Sequence, residues 1–145
     1  MKKEVPAAQA LIYTIQRAVE AIDWLKETQD EWDAKRAAGK DGSTTQMHCR
    51  ILADVISVYV ATLIDGSGRG HSLLKSYAPH NFVKEFIKLP IVKKCKLNRH
   101  NRSAHESRSY GFFVQPQEIL ESPLKAWLKE AIYFLVSIPE QKKDK

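Results

Sequence analysis

Between Pro6 and Gly66 the apolar residues recur at spacings of three and four with one interruption, a pattern that two packed helices satisfy and a sheet does not. The first run is Leu11, Ile15, Ala18, Ile22 and Leu25, opened by Pro6 and an alanine-rich stretch. It predicts an amphipathic helix to about Ala38 with a polar, acidic far end (Glu27, Asp30, Glu31, Asp33). Gly39-Lys40-Asp41-Gly42-Ser43 stops it, since glycine can take the left-handed conformation that closes a helix. Thr44 or Thr45 is the expected cap of the second helix, which has Met47, Ile51, Leu52, Val55, Ile56, Tyr59 and Leu63 in register and ends before Gly66. So short a connection makes the pair an antiparallel hairpin.

The rest of the chain reads as further helices. Phe82, Val83, Phe86 and Ile87 suggest a short one, and Pro90 forces a new start because it lacks the N–H donor and clashes with the preceding turn. Ile91, Val92 and Cys95 then mark the inner face of a helix that carries basic residues on its other side. Tyr110-Gly111-Phe112-Phe113-Val114 is apolar enough for a strand but has no other strand to pair with, so it reads as a connector. Ser122-Pro123 is a cap and a first-turn proline for a last helix with Leu124, Trp127, Leu128, Ala131, Ile132 and Leu135, running to about Ile138. Residues from about 140 to 145 are expected to be a disordered tail. The fold expected is all-α, an antiparallel bundle of four to five helices in one domain over residues 1–145.

Several classes drop out. No stretch approaches the roughly 20 apolar residues of a membrane-spanning helix. The start, Met-Lys-Lys-Glu-Val-Pro, lacks the apolar run of a secretory signal, so a cytoplasmic protein with no membrane partner is expected. Cys49 and Cys95 have neither CxxC nor Cys/His ligand spacing and read as small buried hydrophobes. No metal site and no cofactor is expected.

Charge is the second strong signal. From Lys84 to Arg108 eight Lys or Arg stand against two Glu, a balance of +6, which equals the net charge of the whole chain. The remainder nets to zero, so the basicity is a local patch suited to a polyanion such as RNA. Lys93, Lys94, Lys96, Arg102 and Arg108 are its expected phosphate-binding residues, and Phe112 and Phe113 beside it are candidates for base stacking. Gly66-Ser67-Gly68-Arg69-Gly70 lacks the Lys-Ser/Thr pair and preceding strand of a phosphate-binding loop and reads as a connector from which Arg69 or His71 could reach a ligand. His48 and His80 read as capping or packing residues. Trp24, Trp32, Trp127 and Tyr133 lie in helical patterns and read as core or dimer interface.

Within the patch, Arg99-His100-Asn101-Arg102-Ser103-Ala104-His105 places an arginine and a histidine with five residues between them, after a basic amphipathic helix and before a connector and a last helix. This phrase resembles the R-x(4–6)-H motif of the HEPN superfamily (higher eukaryotes and prokaryotes nucleotide-binding), a set of small all-α domains. The likeness covers the architecture of most of the chain and about ten residues of motif. It implies a metal-independent endoribonuclease, often the toxin of a toxin–antitoxin or phage-defence system, acting as a homodimer whose motifs share one cleft. Arg99 and His105 are its catalytic candidates, with His100 orienting substrate or sharing proton transfer. His105 can exchange protons near neutrality, and Arg99 can hold a phosphate bidentately. On a regular helix residues six apart differ by about 240° in direction, so Arg102, at i and i+3 with His105, is the alternative working cation. The family variant with a tyrosine two residues beyond the histidine, which a nucleotidyltransferase antitoxin modifies, finds Ser107 there, with Tyr110 the nearest tyrosine. Such an antitoxin remains a possible partner. The competing readings are a catalytically silent bundle of the same kind that binds RNA or nucleotide, and a helical protein-interaction module.

Overall fold

Helix α1 (Ala7–Ala37) begins directly after Pro6 in the computed structural model, which describes residues 6–68, 70–104 and 114–138. It ends where the expected glycine turns the chain. Gly39 has φ +70, the left-handed region that a side chain rarely adopts, and this lets the Lys40 N–H donate back to the Lys35 carbonyl at 2.8 Å. Helix α2 (Ser43–Leu63) follows, starting two or three residues earlier than expected. Neither Thr44 nor Thr45 caps it. The Asp41 carboxylate accepts from the Ser43 N–H at 3.0 Å and its hydroxyl at 2.8 Å, while Thr45 is buried and accepts from Lys35 Nζ at 2.8 Å across the hairpin.

Among the described residues five further helices follow the hairpin, of which the sequence predicts three. Beyond the glycine loop come α3 (Leu73–Tyr77), α4 (Asn81–Lys88), α5 (Pro90–Ala104), α6 (Pro116–Glu121) and α7 (Leu124–Ser137). Helices α3 and α6 are absent from the sequence expectation because five and six residues are too few to display a period. Their caps are nonetheless present: the Ser72 hydroxyl accepts from the Lys75 N–H at 3.0 Å, and Glu118 Oε1 accepts from the Gln115 N–H at 3.0 Å behind Pro116. The described residues are all-α, with no strand among them.

Helix α1 packs on α2 and α7, and α2 is sandwiched between α1 and α5. One apolar cluster joins them, built from Leu11, Ile15, Leu25, Ile56, Leu63, Phe86 and Leu128 among others, each essentially inaccessible to solvent. Phe82 of α4 stacks on Phe134 of α7 at 4.9 Å between centroids and tilts against the half-buried Trp127. His80 packs as expected, edge-on to Phe134 at 5.3 Å. His48 does not: it is exposed on α2.

The main correction concerns which side of α2 faces inward. Cys49, Leu52, Ala53, Ile56, Ser57, Val60 and Leu63 are buried, whereas Met47, Ile51 and Val55, expected in the same register, are exposed with Val58. Helix α2 is apolar around most of its circumference, so spacing alone does not say which arc meets α1 and α5. Trp24, expected in core or interface, is 63% exposed, and Tyr133 is 70% exposed. Trp32 is half-buried and lies under the Arg36 guanidinium, 4.5 Å from its ring centroid. Both cysteines are free and buried, as expected, and burial pushes the Cys95 thiol up to about 12. Among the described residues no helix is long and apolar enough to cross a membrane. The expected tail and the connector residues 110–113 lie outside the described residues.

Candidate nucleic-acid interface

Helix α5 presents the basic segment because its inner face is fixed at four points. Ile91, Val92 and Cys95 are buried as expected, and Asn98 continues the same face one turn later at 1% exposure. Asn98 is the polar lock of this region. Its Nδ2 donates to Asp54 Oδ1 at 3.0 Å and to Ser57 Oγ at 3.1 Å on α2, and its Oδ1 accepts from the Val114 N–H at 3.3 Å. The Ser57 hydroxyl in turn donates to the Ala53 carbonyl at 2.9 Å. All amide functions of a buried side chain are thereby used, as burial requires. The described chain leaves α5 at Ala104 and returns at Val114 against the same helix.

With that register set, Lys93, Lys94, Lys96 and Leu97 point outward and are exposed. Lys94 is turned toward α6, where it pairs with Glu118 and, as the first cause, holds that carboxyl below the usual glutamate range. Lys93 and Lys96 extend along the open side. Arg99, 42% exposed, turns toward the end of α2, its Nη1 lying 3.8 Å from Asp65 Oδ2. His100 and Arg102 continue on the helical backbone, Arg102 one turn beyond Arg99, and their side chains lie outside what is described. His105, Arg108, Phe112 and Phe113 lie outside the described residues, as does Arg69.

The glycine connector has a built shape. Asp65 Oδ1 accepts from the Ser67 N–H and hydroxyl, both at 2.9 Å, and from the Gly68 N–H at 3.2 Å, folding the turn around its carboxylate. These Ser67 bonds, with smaller contributions from Gly68 and Arg99, keep the Asp65 carboxyl below its ordinary range and hence ionised. Asp65, Gly66, Ser67 and Leu74 form one wall of a groove of about 520 Å³ whose other wall carries Lys96 and Arg99. His71 is exposed beyond it. Sequence reasoning missed both Asn98, hidden in a polar run, and Asp65. The signal for Asn98 was its place at i+3 from Cys95, and for Asp65 its place just before Gly-Ser-Gly.

Chemically, the groove offers two cations, one already balanced by a carboxylate, and a hydroxyl within a tight turn. An anion entering it would displace Asp65 from Arg99 and take a bidentate hold. Among the described residues no group of three or more His, Cys, Asp or Glu gathers to hold a metal ion. The chain matches no protein-family model, no curated protein and no solved structure.

Proposed function

We propose that this chain is an RNA-binding protein of HEPN-like bundle architecture that cleaves RNA through its own 2′-hydroxyl. It would act in the cytoplasm as a homodimer, as a toxin restrained by a partner antitoxin. The observation that carries the reading is the outward basic face of α5, with Lys96 and Arg99 on one wall of the 520 Å³ groove just ahead of the Arg99–His105 phrase. In the reaction His105 takes the proton from the 2′-oxygen, that oxygen attacks the adjacent phosphorus, and the bond to the 5′-oxygen breaks. The leaving oxygen takes up a proton, for which His100 or the protonated His105 of the second copy is the donor. Arg99, or Arg102 one turn on, neutralises the charge gathering on the phosphorane. Lys93 and Lys96 hold the strand by its phosphates, with Lys94, Arg102 and Arg108 extending the patch.

A gel assay on a structured RNA, with and without chelator, tests this. The wild type should cut in both conditions, His105→Ala should bind but not cut, and Arg99→Ala should lose both affinity and rate. Binding without cleavage by the wild type would favour the silent RNA-binding bundle. No salt-sensitive binding at all would leave the helical interaction module.

A further inference from the structure

A carboxylate stands in the groove that the basic face of α5 offers to phosphate. Asp65 spends one oxygen on folding its turn: Oδ1 accepts from the Ser67 N–H and hydroxyl and from the Gly68 N–H. An asparagine carbonyl would hold that turn equally well, so the second oxygen and the charge are surplus to it. Among the described residues Oδ2 accepts no hydrogen bond, Arg99 Nη1 lying 3.8 Å away across the groove, beyond hydrogen-bond reach. The bonds to Ser67 keep the carboxyl ionised, so it can only accept. Ala61 and Ile64, both buried, and the half-buried Leu74 give the groove an apolar side. Its volume, about 520 Å³, is that of a site for one small ligand.

We propose that this groove takes one nucleotide of the RNA and selects guanine, with Asp65 as the residue that reads the base. The proposal rests on the RNA-binding reading above and adds the base preferred. When a phosphate draws Arg99 to itself, Oδ2 is left as an acceptor with unused lone pairs beside an apolar surface, where a hydrogen bond is least screened. Guanine alone meets such an acceptor with two adjacent donors, its N1–H and its N2 amino group. Adenine and cytosine set an acceptor nitrogen beside their amino group, and uracil flanks its N3–H with two carbonyl oxygens, so each turns a like partial charge on the carboxylate. Lys96, one turn before Arg99 on the same face of α5, holds the neighbouring phosphate, and Leu74 covers the face of the base. The carboxylate thus lowers the affinity for phosphate in general and returns it for one base, a repulsive element paired with an attractive one.

The test is binding by the full chain, read by fluorescence anisotropy on 2′-fluoro RNA, which lacks the attacking hydroxyl and so reads independently of any nuclease activity. Uridine oligomers with guanine, adenine, cytosine or uracil at the centre are compared. The wild type should bind the guanine oligomer at least about fivefold more tightly than the others, and inosine, which lacks the N2 amino group, should lose most of that margin. Asp65→Asn keeps its carbonyl on the Ser67 and Gly68 donors and turns an amide NH2 toward the groove, so it should bind all four to within about twofold. Lys96→Ala should weaken all four by similar factors and keep the preference. Equal binding of the four by the wild type overturns the guanine pocket and leaves the RNA reading standing, whereas binding of none overturns both. An inosine oligomer bound as tightly as the guanine one overturns the pocket too, as does an Asp65→Asn protein, folded by circular dichroism, that keeps the preference. The inosine arm needs no variant and decides alone if Asp65→Asn does not fold.

Discussion

Replacing Asn98 with alanine strips one side chain from α5 and leaves three groups to find new partners. The Val114 N–H is the costly one, since Val114 is buried and its amide loses its acceptor. A buried donor without a partner costs about 1–3 kcal/mol. Ser57 keeps its bond to the Ala53 carbonyl and loses only a donor, and Asp54, half-buried, can turn toward water, so each adds about 0.5 kcal/mol. The expected destabilisation is about 3 kcal/mol, which for a chain of this size lowers the melting temperature by roughly 10 °C. Urea unfolding and thermal melts followed by circular dichroism measure both. Asn98→Asp separates the contributions: it keeps the acceptor for Val114 but sets a carboxylate against Asp54, so its deficit should be largest near neutrality and shrink as acid protonates the pair. A loss below about 0.5 kcal/mol for Asn98→Ala would refute the reasoning, because the lock would then carry no more than an ordinary surface residue.

The folded pKa values of Asp65 and Glu118 both lie below their ordinary ones, so their stabilising contribution is fully present above about pH 4.5 and is lost as the pH falls through the folded values; acid melts of Asp65→Asn should show a shallower loss over that window. The Lys94–Glu118 pair, partly exposed, should give a coupling of about 1 kcal/mol or less in a double-mutant cycle, read by urea midpoints. Burial and the raised thiol of Cys95 predict that a thiol reagent at pH 8 labels neither cysteine until the chain is unfolded; fast labelling of native protein would contradict the packing of α5 on α2. Phe86→Ala, in the centre of the core, should cost about 3–5 kcal/mol, measured by urea unfolding.

The four long helices were legible because each boundary carries a residue with a backbone reason: Pro6, the Gly39–Ser43 turn, Pro90 and Ser122-Pro123. The inner face of α5 was legible for the same kind of reason, Ile91, Val92 and Cys95 leaving one arc for the core and the lysines for the other. Helices α3 and α6 escaped because a single turn has no period, though Ser72 and Pro116 mark their starts. The outward arc of α2 was misread since Met47, Ile51 and Val55 are as apolar as Leu52, Ile56 and Val60, and only the placement of α1 and α5 distinguishes them. Of the candidate site, the direction of Arg99 depended on contacts between distant segments: Asp65 is 34 positions away in sequence, and nothing local announces that the glycine turn and α5 share a groove.

The chemistry of the RNA ends after incubation with the purified protein tests the central claim most directly. A cut made by the 2′-hydroxyl, with His105 moving the proton, must leave a 2′,3′-cyclic phosphate on one fragment and a 5′-hydroxyl on the other, in the presence of chelator and in the wild type but not in His105→Ala. Fragments carrying 5′-phosphates, or cyclic-phosphate ends formed equally well by the His105→Ala protein, would contradict it.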